Sequence, residues 1–309
     1  MKLIEQCYTK VKNNCFKFIE SQETVSTKFK KKHILIKSFL IPLSFWIVKK
    51  SYKKKPFIIG LSGGQGTGKT TITSIITIIL KNFFKLSVFK ISIDDFYKTR
   101  KSRKKLSISK HQLLKIRGVP GTHDYKMISN FFTKLKNKNF KKFKTPKFDK
   151  SLDDRCKKKD WYNIEERPDI VILEGWCVGA KAQNHSNISK PINIVEKIKD
   201  PNLIWRKYVN TQLKTNYKKL FKELNAIIYL KASNFKLLQK WRIKQENKLW
   251  LRSINKKNLK IMSRDEIIKF MYTYQRITQN MFKETPKYAS IIMKLNSNHE
   301  IKSIKYRSK

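Results

Sequence analysis

The chain has 309 residues, enough for one large domain or two small ones, and its 40% hydrophobic content can supply a sizeable core. Seventy-one Lys and Arg against 22 Asp and Glu leave a formal net charge of +49. Such an excess suits a nucleic-acid or acidic-membrane surface. However, the lysines run along the whole chain beside abundant Asn, Ile, Phe and Tyr, a composition that AT-rich codons produce, and no single basic arm argues for a dedicated nucleic-acid protein.

Four scattered cysteines (Cys7, Cys15, Cys156, Cys177) form no C-x-x-C pair and no Cys/His cluster of zinc spacing. They suit a reducing, cytoplasmic setting. Glu5 stands early, and no apolar stretch ends in small residues, so the N-terminus does not read as a signal peptide. The greasiest segment, Ile34 to Val48, is too short to span a bilayer and contains Lys37, Pro42 and Ser44.

Residues 1–55 are expected to form a helical extension. Leu3, Ile4, Cys7, Tyr8, Val11, Cys15, Phe18 and Ile19 recur at helical spacing. A second helix over Ile34 to Val48 is expected to bend or break near Pro42. A polar linker, Ser51 to Lys55, precedes a second region, 56–309.

That region opens with Phe57 to Leu61, a strand-like run, followed by Gly63-Gly64-Gln65-Gly66-Thr67-Gly68-Lys69-Thr70. The loop fills G-x-x-x-x-G-K-[ST] at every fixed position, and Ile72, Ile75, Ile76, Ile79, Leu80 and Phe83 continue it at helical spacing. Glycines let successive backbone N–H groups turn toward phosphate oxygens. Lys69 reaches the β- and γ-phosphates, the hydroxyl of Thr70 serves Mg²⁺, and Thr71 stands in the helix's first turn. The positive end of that helix faces the same anion. Strand, loop and helix together imply binding of a nucleoside triphosphate.

Further strands are expected at Ser87 to Ile93, Asp169 to Leu173, Ala226 to Leu230 and Ser290 to Leu295, with amphipathic helices between them. This alternation predicts an α/β fold, a doubly wound parallel sheet with helices on both faces. The long basic stretch from Lys98 to Arg167 is poor in strand signals and is expected to carry substrate loops at the carboxyl edge of the sheet. The charged runs 98–105 and 136–144 read as solvated faces.

Two carboxylates follow strand ends. Asp94, in Ser92-Ile93-Asp94-Asp95-Phe96-Tyr97, suits a base for an attacking hydroxyl or a metal ligand, and equally an N-cap. Glu174 follows Ile170-Val171-Ile172-Leu173, the place of a second carboxylate near the metal of a P-loop enzyme.

The set S-I-D-D-F-Y (92–97), R-G-V-P-G-T-H-D (117–124), P-K-F-D-K-S (146–151) and L-E-G-W (173–176) resembles the phosphoribulokinase, uridine kinase and pantothenate kinase superfamily, and more narrowly the D-glycerate 3-kinases. The resemblance runs from about Ile41 onward and includes W-R-I-K-Q-E (241–246) and M-S-R-D-E (262–266). It implies an ATP- and Mg²⁺-dependent kinase acting on a hydroxyl of a small anionic metabolite, D-glycerate first, with a nucleoside such as uridine or a pantothenate-like acid as the alternative acceptor. A basic nucleic-acid-binding ATPase is the reading from another class, and the spread of the lysines argues against a specific nucleic-acid partner. By that resemblance Asp94 is the base, Glu174 assists the metal, and Tyr97, Arg117, His123 and Asp124 meet the acceptor. Lys147, Asp149, Lys150 and Arg155 form a second acceptor loop. Trp241, Arg242 and Gln245 open a lid over about 241–262, with Arg242 closing on the phosphates. Taken as residues alone, Arg117, His123 and Asp124 offer a cation, donors and an acceptor within eight positions. They also suit local bracing, such as an Arg117–Asp124 pair. The chain departs from the family pattern at Leu152-Asp153-Asp154-Arg155, which lacks the usual glycines, and at Arg264, where an acid is usual.

Overall fold

The computed structural model describes residues 2–24, 28–52, 54–251 and 262–307. In chain order the strands are β1 (Phe57–Gly63), β2 (Val88–Ser92), β3 (Phe143–Thr145), β4 (Phe148–Asp149), β5 (Asp154–Arg155), β6 (Tyr162–Ile164), β7 (Ile170–Gly175), β8 (Ala226–Lys231), β9 (Ile291–Leu295) and β10 (Ile301–Tyr306). The main sheet runs β10-β9-β8-β1-β7-β2; its strands pair in parallel except for β10, which is antiparallel to β9. Strands β1 and β7 are buried at every residue, as a sheet covered on both faces requires.

Alternate residues of one strand enter two different cores. Phe57, Ile59, Leu61, Ile170 and Ile172 face one, whereas Ile58, Val171 and Leu173 face the other. The first core is covered by helices α1 (Lys2–Ser21), α2 (32–51) and α3 (Lys69–Asn82). Cys7, Val11, Cys15 and Ile19 of α1 are fully buried at intervals of four, so this helix lays one apolar stripe into the core beside the helix that follows the P-loop. The second core is covered by α5 (Tyr125–Lys136) and by helices between residues 204 and 221. Before α5 comes the basic helix α4 (Arg100–Ser109). After β8 come α6 (Phe235–Leu251) and α7 (Arg264–Glu284).

The expected break at Pro42 is absent. Helix α2 runs through a π-helical segment, Leu35–Leu40, and Pro42 lies in the first turn of the α-helical segment Ile41–Ser51. The wider π turn accommodates the missing N–H, so the helix continues past Pro42 without a break. Strand β10 was not expected. It is an edge strand with lysines exposed along it, and it carries little apolar alternation to read. Among the described residues no helix is long and apolar enough to cross a membrane.

The connection from β1 through α3 to β2 passes over β7, whereas β8 pairs on the other side of β1. The crevice beyond the carboxyl ends of β1, β7 and β2 is therefore the switch point where an α/β sheet of this kind takes its ligand.

Candidate active site

The phosphate loop leaves β1 and enters α3 through two left-handed residues, Gly66 (φ 75°) and Gly68 (φ 82°). A side chain at either would be strained. A Cβ on Gly66 would also lie 3.0 Å from the Trp241 backbone, because helix α6 passes directly over the loop. Thr67 Oγ1 donates to the Gly64 carbonyl at 2.8 Å and ties the loop together. Lys69 Nζ donates to the carbonyls of Gly63 and Gly64 at 2.9 and 3.0 Å, so its ammonium lies against the loop it serves. Burial lowers its pKa, while Glu174 and Asp94 pull it back up.

Glu174, at the carboxyl end of β7, is 7% exposed. It accepts from Thr70 Oγ1 at 2.8 Å and from Thr73 Oγ1 at 3.1 Å. The register explains the meeting, since β1 and β7 pair with Leu61 opposite Glu174, and α3 starts six residues after β1 ends. The hydroxyl and carboxylate are hard oxygen donors of the kind Mg²⁺ takes. Among the described residues no cluster of three or more His, Cys, Asp or Glu could hold a metal by itself. One or two protein oxygens completed by phosphates and water is the usual Mg²⁺ arrangement, so the donor set fits.

Asp94 stands in the 3-10 turn Ile93–Phe96 that follows β2. The capping work there belongs to its neighbours. Ser92 Oγ accepts from the Asp94 N–H, and Asp95 Oδ2 accepts from the Ser92 N–H at 3.1 Å. Asp95 Oδ1 also accepts from the Phe148 N–H, and its pKa is raised to about 6 by burial. The Asp94 carboxylate is thus left to face the crevice, 2.8 Å from Lys150 Nζ. Burial pushes the Asp94 pKa up. The adjacent Lys150 ammonium outweighs it, with help from Lys69, and holds the group at about 2.

Two sequence motifs are clamped together here by backbone. Tyr97 and His123 form an isolated antiparallel bridge, Lys98 N–H donates to Thr122, and Asp124 N–H donates to Phe96 at 2.7 Å. This ladder stacks the Tyr97 ring on His123, with centroids 4.3 Å apart and planes 17° apart. His123 is 2% exposed, and its Nδ1 lies 2.5 Å from the Tyr217 hydroxyl. Burial lowers its pKa to about 4 despite the field of Asp94, so the ring is neutral at pH 7. His123 Nε2 has no hydrogen-bond partner among the described residues. Trp176 Nε1 donates to the Gly118 carbonyl at 2.9 Å, and its ring meets Tyr274 edge-on at 4.7 Å.

Other expected site residues are already engaged. Arg117 pairs with Asp153 and donates to the Lys150 carbonyl at 3.2 Å, instead of pairing with Asp124. Asp124 caps α5 through the Met127 N–H and pairs with Arg155 at 3.3 Å; Arg155 also donates to the Tyr97 carbonyl at 2.8 Å. Asp149 Oδ1 accepts from the N–H groups of Ser151 and Leu152, closing the turn that presents Lys150. Lys147 lies over the Tyr162 ring, 5.7 Å from its centroid. Arg242 pairs with Glu246 one helical turn on, and Glu246 accepts from the Met262 N–H at 3.1 Å. The lid expected over 241–262 is helical through Leu251; residues 252–261 lie outside the described residues.

The run 98–105 is not wholly solvated. Arg103 is fully buried and donates to the carbonyls of Lys98, Lys115 and Asp153. A guanidinium with five donors can tie three loops at once, which an amphipathic reading of charge misses. Tyr217, Tyr274 and His299 were likewise not legible, because each comes from an element far away in sequence. His299, at the turn between β9 and β10, stacks on Trp241 at 4.4 Å, and its ring reaches the backbone of Gly66 and Thr67.

The family model for phosphoribulokinase and uridine kinase matches residues 58–206. The "Uncharacterized kinase mug58" of Schizosaccharomyces pombe is 30% identical over 228 residues, which cover 71% of this chain and 79% of that protein. The chloroplastic D-glycerate 3-kinase of Arabidopsis thaliana is 30% identical over 199 residues, 62% of this chain and 41% of that protein. In structure, the D-glycerate 3-kinase of Cryptococcus neoformans superposes with a TM-score of 0.73 at 21% identity, over 87% of this chain and 99% of that one. A P-loop whose hydroxyl meets a strand-end carboxylate, with Asp94 and its partner Lys150 across the crevice, agrees with these matches: the chain belongs to the phosphoribulokinase/uridine kinase family of P-loop kinases, phosphotransferases whose acceptor is a hydroxyl group.

Proposed function

We propose that the enzyme transfers the γ-phosphoryl group of Mg·ATP to the C3 hydroxyl of D-glycerate, giving 3-phosphoglycerate. The observation that carries the reading is Asp94, held ionised 2.8 Å from the Lys150 ammonium and beside neutral His123. The pair offers a carboxylate to take a hydroxyl proton and, next to it, a cation for an acid's charge. The resemblance of R-G-V-P-G-T-H-D to the glycerate kinases, and the plant relative of that name, favour glycerate among small acids.

The roles follow from chemistry at each position. Lys69 neutralises charge on the transferring phosphate. Thr70 and Glu174 would hold Mg²⁺, which when bound would supply charge to neutralise the polyphosphate. When the acceptor's carboxylate draws Lys150 away from Asp94, the carboxylate becomes more basic as the hydroxyl arrives. Arg117, braced by Asp153, supplies a second cation at the mouth, and Arg242 closes over the phosphates from the lid. The cysteines form no disulfide, which suits the reducing cytosol.

The test is a screen of acceptors coupled to ADP release, with D-glycerate, uridine, cytidine, pantothenate and ribulose 5-phosphate. D-glycerate is expected to be preferred. Turnover of another small metabolite alone would overturn the substrate and leave the kinase.

A further inference from the structure

A second pocket lies outside the active site, between α5 and the paired strands β3 and β6. It has a volume of about 720 Å³ and is open to solvent. Four lysines line it (Lys134, Lys142, Lys144, Lys158) against one carboxylate, Glu165. Its floor is aromatic: Phe131 and Phe143 pack edge-on at 6.2 Å, Trp161 adds a third ring, and Lys134 Nζ stands 5.3 Å from the Phe143 centroid. Asn130 and Asn163 contribute amides. Thr145 lines the same pocket. It is 1% exposed, and its hydroxyl has no hydrogen-bond partner among the described residues.

We propose that this pocket is a second nucleotide site, binding a purine or pyrimidine nucleoside phosphate with its base against the aromatic floor and its phosphates among the lysines. The mixture is specific to that class. Lysines alone take any anion, but rings beside amides take a flat heterocycle with polar edges. The volume is within the range of sites that hold ligands of this size. Strand β3 ends at Thr145, and Lys150 lies five residues further along the same chain. A ligand seated on β3 lies a short stretch of chain from the segment that carries the cation facing Asp94.

The experiment is equilibrium dialysis of the full chain with ADP, using the wild type, Lys69→Ala, and the triple variant Lys134→Gln/Lys142→Gln/Lys144→Gln. Two equivalents of ADP are expected for the wild type. Lys69→Ala should weaken one equivalent and leave the other. The triple variant should weaken the second at least ten-fold and leave the first, with circular dichroism unchanged, because all three lysines are exposed. A single equivalent in the wild type, or a second one indifferent to the lysines, overturns the proposal. Equal competition by inorganic pyrophosphate also overturns it, since charge alone would then explain binding. Tighter binding of a single-stranded oligonucleotide than of ADP would make the groove a nucleic-acid surface instead. Failure of Lys69→Ala to weaken either equivalent would count against the phosphate-loop assignment and not against this pocket.

Discussion

Lys150 Nζ and Asp94 Oδ2 stand 2.8 Å apart, and this ion pair sets the protonation state of the carboxylate facing the P-loop. Burial alone would raise the Asp94 pKa, so its low value depends on the lysine. Lys150→Met should therefore raise the pKa of Asp94 toward or above the ordinary carboxylate value of about 4. Activity that needs ionised Asp94 is lost as pH falls through that pKa, so the acid limb of kcat/KM should move to higher pH. A limb that stays in place would show that Lys150 does not control Asp94.

Asp94→Asn should retain ATP binding and slow the chemical step by roughly 10²- to 10⁴-fold, the usual contribution of a general base. Single-turnover kinetics separates the two effects. Loss of ATP affinity without a distinct effect on the chemical step would assign Asp94 to metal binding or to loop structure.

Lys69→Ala and Thr70→Ala should each abolish turnover in folded protein. Lys69 touches the loop carbonyls, and Thr70 touches Glu174. Near wild-type rates in either purified variant would place the phosphate site elsewhere.

His123 gives a stability prediction with a defined sign. Its folded pKa, about 4, lies below the ordinary histidine value, so the unfolded chain takes up the proton first as pH falls. Stability should therefore drop between about pH 6.5 and pH 4, by roughly 1–2 kcal/mol from this residue at pH 5. Urea midpoints at pH 7.5 and pH 5 measure the drop, and His123→Gln should show less of it. An equal drop in the variant would move the effect to other groups.

Arg117→Lys should reduce activity toward D-glycerate more than its conserved charge suggests. The guanidinium pairs with Asp153 and also donates to the Lys150 carbonyl, and a single ammonium cannot make both contacts in that geometry. The kinetics of D-glycerate, with ATP saturating, would show this as a raised KM.

What was legible followed from local rules. The P-loop is a covalent pattern whose geometry depends on its own glycines, and the β7 strand opens with an apolar run, Ile170 to Leu173, that Glu174 directly follows. The two strand-end carboxylates were thus placed before any tertiary information. Lys150 was legible only by resemblance, because its meeting with Asp94 requires a loop to fold back across 56 residues. Arg103 was misread because charge at helical spacing ordinarily faces water, whereas here three backbone carbonyls converge on the guanidinium. Tyr217 and Tyr274 reach the site from later helices, and no short-range pattern carries that information.

The stack of His299 on Trp241 has a practical outcome. Trp241 stands within α6, the helix proposed to act as a lid, whereas His299 belongs to a hairpin fixed at the sheet edge. Any swing of the lid away from the P-loop must separate the two rings and change the indole's surroundings. The molecule therefore contains its own optical gauge of lid position. Substituting His299→Leu and comparing tryptophan emission with and without nucleotide would isolate that one indole from the five others.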